Sequence, residues 1–382
     1  MPGYIRKRGK QSWQVAVSAG FDPRTGKRLQ VWRTVRGTRK DAEAALARLL
    51  AEVQSGGAPV DSSATVGDFL RGWLERYTGL ARTTWERYSE LLWLHVIPRI
   101  GHLRLDRLRP LHLEDLYRTL QEPRDRGGAG LSGTTVLQVH RVLHRAFTVG
   151  MRWGLLSRNP ADYVQAPKKT TQEIKPPDPE TVRKLLEALQ GTRLHAPVAL
   201  VAMTGLRRGE VLALRWSDLD LEAGTMAVVR SLEQTREGLA FKDLKNPRSR
   251  RRLPLPPAAV ALLRAHRKVQ AEERLQAGSA WADHDLVFPG HLGHPWPPKA
   301  FTTAFRKAVA RAGLRLRFHD LRHLVATTLL VGGADVRTTA GVLGHADPAT
   351  TLRVYSHAVQ VAQKEALEKV QQAILGPHPA RS

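Results

Sequence analysis

Leu343-Gly344-His345-Ala346-Asp347-Pro348, continuing through Thr350-Thr351-Leu352-Arg353-Val354-Tyr355, closes one helix and opens another. Glycine supplies the left-handed stop, Asp347 the N-cap and Pro348 the first helical position. Tyr355 then falls on the new helix. The chain has only 6 tyrosines, and no other follows Tyr163. Taken alone, a tyrosine there reads as a half-buried amphipathic side chain packed by its helix. Its neighbours along the chain change that reading.

Upstream, His319-Asp320-Leu321-Arg322-His323 puts His319 and Arg322 on one helical face, where both can converge on a single phosphate. The same five residues resemble a zinc-protease pattern, with His319 and His323 one turn apart and Asp in place of Glu. That alternative needs a third ligand and a carboxylate base of sufficient reach. Further upstream, Met203-Thr204-Gly205-Leu206-Arg207-Arg208-Gly209-Glu210 sets Arg207 in a tight glycine-bearing corner between two helices. Free N–H groups and a guanidinium fork suit an anion at such a corner. A plain surface arginine is the bland alternative. Glu210, one turn beyond, either orients its neighbours or is a surface carboxylate.

The 382-residue chain carries 60 Lys plus Arg against 35 Asp plus Glu, a formal charge of +25. The excess runs through residues 1–60, 61–170 and 171–382 alike. It therefore describes a body that touches a polyanion with several modules, not a basic tail on a neutral enzyme. Nucleic acid is the first candidate and an anionic membrane the rival. No run of about 18 apolar residues occurs, and no apolar segment stands behind the basic N-terminus, so neither a span nor a signal peptide is expected. The absence of cysteine excludes disulfides, thiolate nucleophiles and Cys-bearing zinc sites. The stretch from Gly20 to Lys27 misses a phosphate-binding P-loop, with Arg28 where Ser or Thr is needed, and reads as a hairpin turn.

Period-two alternation at 12–17 and 30–35, around the turn signal Asp22-Pro23-Arg24-Thr25-Gly26, predicts a small three-stranded sheet. A helix from Lys40 to Val53 packs on it, and 55–63 is a linker by composition. Residues 65–165 read as four helices: one over Thr65 to Leu74, one from Thr83 to a stop at Ile97-Pro98, then 106–120 and 132–153. After a second linker at 166–179, helices at 181–190, 195–203 and 208–214 precede strand-like segments near 225–231, 239–244 and 251–255. Helices resume at 258–275, 299–312, 319–331, 335–343 and 348–356, and an amphipathic one closes the chain at 358–375. The expected fold is multidomain: a small three-stranded sheet plus helix at 1–57, an all-α module at 64–165, and a mixed, mainly-α domain with a small antiparallel sheet at 175–382.

Arg207, His319-x-x-Arg322, Leu343-Gly344-His345 and Tyr355, in that order and at those separations, closely resemble the tyrosine recombinase (phage integrase) family. The surrounding Thr204-Gly205-Leu206-Arg207-x-Gly209-Glu210 and Thr350-Thr351-Leu352-Arg353-x-Tyr355 agree. The resemblance covers nearly the whole chain, and 1–57 looks like the arm-type DNA-binding domain of the longer integrases. Residues 64–165 look like their SAM-like core-binding domain, and 175–382 like the catalytic domain. Leu324 stands where a small or hydroxylated residue is commoner, which bears on packing rather than chemistry.

The resemblance implies a site-specific recombinase that cleaves and rejoins DNA through a 3′-phosphotyrosyl link, without metal, ATP or cofactor, to integrate or excise a mobile element. In it Tyr355 is the nucleophile, and Arg207 and Arg322 hold the charge on the non-bridging oxygens. Lys245, placed where a β-hairpin would turn, protonates the leaving 5′-oxygen, with Lys242 the lesser candidate. His319 assists proton transfer from Tyr355 or donates to the phosphate, and His345 hydrogen-bonds a phosphate oxygen. The implied partners are double-stranded DNA at core and arm sites, three further copies in a homotetramer, and an excisionase or DNA-bending host protein. No membrane is involved, and the cytoplasm, on the nucleoid when DNA is bound, is the expected location. The residues leave open a type IB topoisomerase-like nicking-closing enzyme, a non-catalytic DNA-binding protein and a zinc hydrolase.

Overall fold

Tyr4–Gly9 (β1), Ser12–Phe21 (β2) and Arg28–Arg36 (β3) form an antiparallel sheet in the order β1-β2-β3, with Val15 opposite Ile5 on one side and Arg33 on the other. Arg39–Gln54 (α1) crosses it and buries Ala42 and Leu49 against Val15 and Val17. In the computed structural model the described residues are 3–21, 28–54, 64–169, 176–244, 249–345, 347–355, 367–371 and 373–374. The turn expected at 22–26, the linker at 55–63 and most of the helix expected at 358–375 lie outside them. The chain divides into two units, Met1–Gln172 and Glu173–Ser382.

The first unit holds a second, separate core made by helices. Val66–Arg76 (α2) starts at Thr65, whose Oγ1 accepts from Asp68 N–H at 3.1 Å while Asp68 Oδ2 accepts from Thr65 N–H at 3.2 Å. This reciprocal cap satisfies two orphan donors of the first turn. Arg82–Leu91 (α3) does not stop at Pro98. A π-turn over Leu92–Val96 carries the chain straight into Ile97–Ile100 (α4), with Pro98 in its first turn. Pro98 withholds an N–H from the carbonyls one turn back, and the Arg99 guanidinium supplies donors in its place, to His95 O at 3.2 Å and Leu94 O at 3.4 Å. Pro110–Gln121 (α5) begins later than the expected 106, since Leu105–Arg107 forms a 3-10 turn first. Gly133–Arg152 (α6) is capped by Ser132 and lays Val139, Leu143 and Phe147 on Phe69, Leu70 and Trp73 of α2.

The second unit opens with Pro179–Leu189 (α7), His195–Thr204 (α8) and Arg208–Leu212 (α9). Helix α8 is apolar nearly all round and forms the centre of the core. The strand-like segment expected at 225–231 is two strands serving two sheets. Leu219–Asp220 (β4), Thr225–Val228 (β5) and, later, the partner strand at Arg251–Pro254 make one antiparallel sheet. Arg230–Thr235 (β6) and Gly238–Asp243 (β7) make a separate hairpin, and Arg251–Pro254 is β8. The split falls at Val229, whose carbonyl accepts from Leu244 N–H at 2.9 Å. Alternation cannot register such a break, because side chains keep their period while the partner strand changes. Pro257–Ala277 (α10), Pro298–Arg311 (α11), Phe318–Val331 (α12), Val336–Leu343 (α13) and Pro348–Val354 (α14) follow. The fold class is the expected one: a three-stranded sheet with a helix, a helical module, and a mainly-α unit with small antiparallel sheets. Among the described residues no helix is long and apolar enough to cross a membrane.

Candidate active site

Helix α13 ends at Gly344, which adopts φ +65, and its last carbonyls have no partner within the helix. Three arginines from distant parts of the unit take them. Arg251 Nε donates to Val342 O at 2.8 Å, Arg322 donates to Leu343 O at 2.6 Å, and Arg207 donates to Gly344 O at 2.8 Å. The partial negative charge of a helix C-terminus suits three cations in this place. Arg322, only 2% exposed, also donates to Gly205 O at 2.7 Å, tying the α8–α9 corner to the same turn. Glycine is needed at both corners. At Gly205, where φ is +66, a Cβ would stand 2.9 Å from Leu343, and at Gly344 one would stand 2.6 Å from the Arg251 guanidinium.

Glu210 holds two of the three arginines. Its carboxylate, essentially buried, accepts from Arg207 at 2.6 Å and from Arg251 at 2.9 Å, and from the Arg207 backbone N–H at 3.0 Å. Burial pushes this carboxyl up, but the Arg251 hydrogen bonds and the charges of Arg251 and Arg207 outweigh it and hold it at about 2. The surface-carboxylate reading of Glu210 is thus replaced. Burial and the nearby Arg207 charge press the Arg322 guanidinium down to about 9, which leaves it a cation at neutral pH. Arg207 keeps part of its side chain exposed while holding Glu210 and Gly344 O.

The Glu210 shift has a measurable consequence. Between an ordinary carboxyl value near 4.5 and about 2, the unfolded chain binds a proton that the folded chain refuses, so stability falls as pH drops through that window. The full contribution, present above the upper value, is on the order of 3 kcal/mol. Melting followed from pH 6 down to pH 3 should therefore fall more steeply in wild type than in Glu210→Gln.

The turn that gathers the arginines leads directly to His345, whose Nδ1 lies 2.7 Å from Thr351 Oγ1 of α14. Burial and the charges of Arg322, Arg207 and Arg251 lower its imidazole to about 4, so the ring is neutral at physiological pH. Helix α14 ends at Tyr355, a buried side chain packed with Ala326, Leu330 and Leu343. Its phenol oxygen is 2.7 Å from His323 Nδ1. Burial raises the phenol and Arg322 draws it back down. His319 is exposed and sets its ring edge-on to His323 at 4.7 Å between centroids.

The comparisons with known proteins bear on this arrangement. The phage integrase family model matches residues 178–361, and the model of the phage integrase N-terminal SAM-like domain matches 65–121. The integrase of Streptomyces ambofaciens is 31% identical over 368 residues, covering 92% of this chain and 90% of its own. The chain belongs to the phage integrase family. It is a tyrosine recombinase, an enzyme of site-specific recombination, and neither the topoisomerase-like nor the non-catalytic reading is favoured. A XerC-like tyrosine recombinase of Caldanaerobacter subterraneus is 28% identical and covers 95% of this integrase-family chain and 96% of its own. Among solved structures, the Tn1549 transposon integrase in complex with a circular intermediate DNA matches with a TM-score of 0.67 at 20% identity, covering 81% of this chain and 100% of that one. A lambda integrase tetramer bound to a Holliday junction matches with a TM-score of 0.56 at 17% identity, covering 92% and 94%.

Five of the six residues singled out in this integrase sequence are described, and they lie around one turn: Arg207, Arg322 and His345 at it, Tyr355 and His319 about His323 beside it. Lys245 lies outside the described residues. The hairpin expected to turn at Lys245 turns instead at Thr235–Gly238, and Lys242 is paired with Glu233 across it at 3.1 Å. Sequence reasoning missed Arg251, which it merged with the basic run around it. A signal was there: Arg251 shares its strand face with Leu253 and Leu255, both buried, so period two points it inward. It also weighed His323 only as a zinc ligand. Among the described residues no group of three or more His, Asp or Glu gathers to hold a metal.

Proposed function

We propose that Tyr355 attacks a scissile phosphodiester of DNA, forming a 3′-phosphotyrosyl link and freeing a 5′-hydroxyl that a second strand later replaces. The observation that carries this reading is the shared turn. The carbonyls of Val342, Leu343 and Gly344 hold Arg251, Arg322 and Arg207, the next residue is His345, and the helix that follows ends at Tyr355. Arg207 and Arg322 stabilise the charge that gathers on the non-bridging oxygens. A guanidinium held by protein carbonyls before the substrate arrives costs no reorganisation when the charge develops. His345, neutral and anchored by Thr351, donates to a phosphate oxygen, as does His319, and Lys245 protonates the leaving 5′-oxygen.

Residues 175–382 form the catalytic domain, 64–165 grip the core site, and 1–57 bind arm-type sites. The chain works as a homotetramer on two duplexes in the cytoplasm, an arrangement supported by likeness to the lambda integrase tetramer on its Holliday junction. Its substrate is the end of a mobile element, in keeping with likeness to the Tn1549 integrase.

The test is a nicked suicide duplex carrying the core site, incubated with the full chain in EDTA. A covalent protein–DNA adduct with a free 5′-hydroxyl on the released strand is expected. An adduct that needs added metal overturns the reading. DNA affinity should fall steeply with salt, as phosphate-dominated binding requires.

A further inference from the structure

The reading above leaves a buried titratable group beside Tyr355 without a task. His323 follows Arg322 on α12, is 5% exposed, and is the residue that touches the reacting atom: its Nδ1 lies 2.7 Å from the Tyr355 phenol oxygen. We propose that His323, rather than His319, takes the phenolic proton when Tyr355 attacks. The inference rests on Tyr355 being the nucleophile.

Three features of the site support it. A protonated phenol is a donor, and a neutral imidazole carrying its hydrogen on Nε2 offers Nδ1 as the acceptor. Ring centroids 5.5 Å apart at 60° hold the two groups in contact from different helices. His319, the alternative, is exposed and turned edge-on against His323. Its ring meets that of His323, and it is His323 whose nitrogen is within hydrogen-bond distance of the phenol. The groups that act on His323 are His319, Asp320 and Arg322 from its own helix, Arg317 at that helix's N-cap, and Tyr355 from the end of α14. Burial and the neighbouring His319 lower its imidazole to about 4, so the ring is neutral and free to accept at physiological pH. A weak base in this position takes the proton only as the new bond forms, and returns it readily on religation.

The step balances as follows. The Tyr355 oxygen forms a bond to phosphorus while its O–H bond breaks, and the proton passes to His323 Nδ1, giving an imidazolium. The bond from phosphorus to the 5′-oxygen breaks with its electron pair on oxygen, which takes a proton from the Lys245 ammonium. Religation runs each transfer backwards and leaves both groups as they began.

Asparagine separates a proton acceptor from a hydrogen-bond partner, because its amide reaches the position of Nδ1 and accepts a hydrogen bond but has almost no proton affinity. Single-turnover cleavage of the suicide duplex is measured for wild type, His323→Asn and His323→Ala, with thermal melting as the check on folding. Both variants should lose about 10²- to 10⁴-fold in cleavage rate, the usual worth of a positioned base. With fluorotyrosine at position 355, a more acidic phenol that depends less on a base, the His323→Asn deficit should shrink at least tenfold. A His323→Asn rate within threefold of wild type overturns the proposal, and so does a deficit that fluorotyrosine leaves unchanged. Should His323→Asn fail to fold, the fluorotyrosine comparison with His323→Gln decides on the same criterion. Failure of the nucleophile reading would be separate and visible, as an adduct that persists in Tyr355→Phe.

Discussion

Tyr355→Phe should fold, bind core-site DNA with the affinity of wild type, and form no covalent adduct. The phenyl ring keeps the packing against Ala326, Leu330 and Leu343. Only the hydroxyl is lost, and with it the hydrogen bond to His323. A buried imidazole left without its partner costs about 1–3 kcal/mol, which melting will register. Chemistry suffers far more. Removing a nucleophile from a site whose groups act together lowers the rate by on the order of 10⁴-fold or beyond. In practice the adduct band on a denaturing gel should vanish while the native-gel complex persists. An adduct in the variant would mean that another group attacks. Between Tyr163 and Tyr355 the sequence has no other tyrosine, and none follows Tyr355, so the catalytic part of the chain offers no second phenol.

The second large effect is expected at Arg251, whose guanidinium bonds Glu210, Val342 O and Ser249 O. Arg251→Met should destabilise the second unit by about 3–5 kcal/mol, because it removes one partner of a buried ion pair and leaves the other charge in place. Glu210 is the charge left behind, with Arg207 as its remaining cation. Val342 O loses its donor in the same stroke. Cleavage should fall as well, since Glu210 and the α13 turn together position Arg207. Urea unfolding of the full chain gives the stability change. A double-mutant cycle with Glu210→Gln gives the coupling: replacing both should cost less than the sum of the two single changes. Simple additivity would mean that the pair contributes nothing as a pair.

These two expectations come from different levels of the molecule. The motif residues were legible because each motif is local. A left-handed glycine, an Asp-Pro helix start and an i,i+3 pair each need only a few consecutive residues to be recognised. The same holds for the elements, most of which lie within a few residues of where periodicity places them. The exceptions share a cause. Pro98 predicts a stop, yet a π-turn ahead of it re-registers the backbone and a helix continues. Alternation predicts one strand-like segment at 225–231, yet it divides at Val229 between two sheets. In both cases the backbone's hydrogen-bond partners changed, and the order of side chains along a sequence does not display those partners.

The sequence by itself determined the chemistry available to this integrase: one tyrosine in the last part of the chain, arginines and histidines in a fixed order around it, no thiol, and a positive charge spread over every module. Tertiary structure decided how those groups meet. Gly205, Arg251, Arg322 and Leu343 come from four separate stretches and are joined only where α8, β8, α12 and α13 pack together. That packing buried Glu210, turned Arg251 into a strut for the site and put His323, not His319, against the phenol. Local periodicity says which face a residue occupies, but which face opposes it is set by burial of the whole core, a property no short stretch contains.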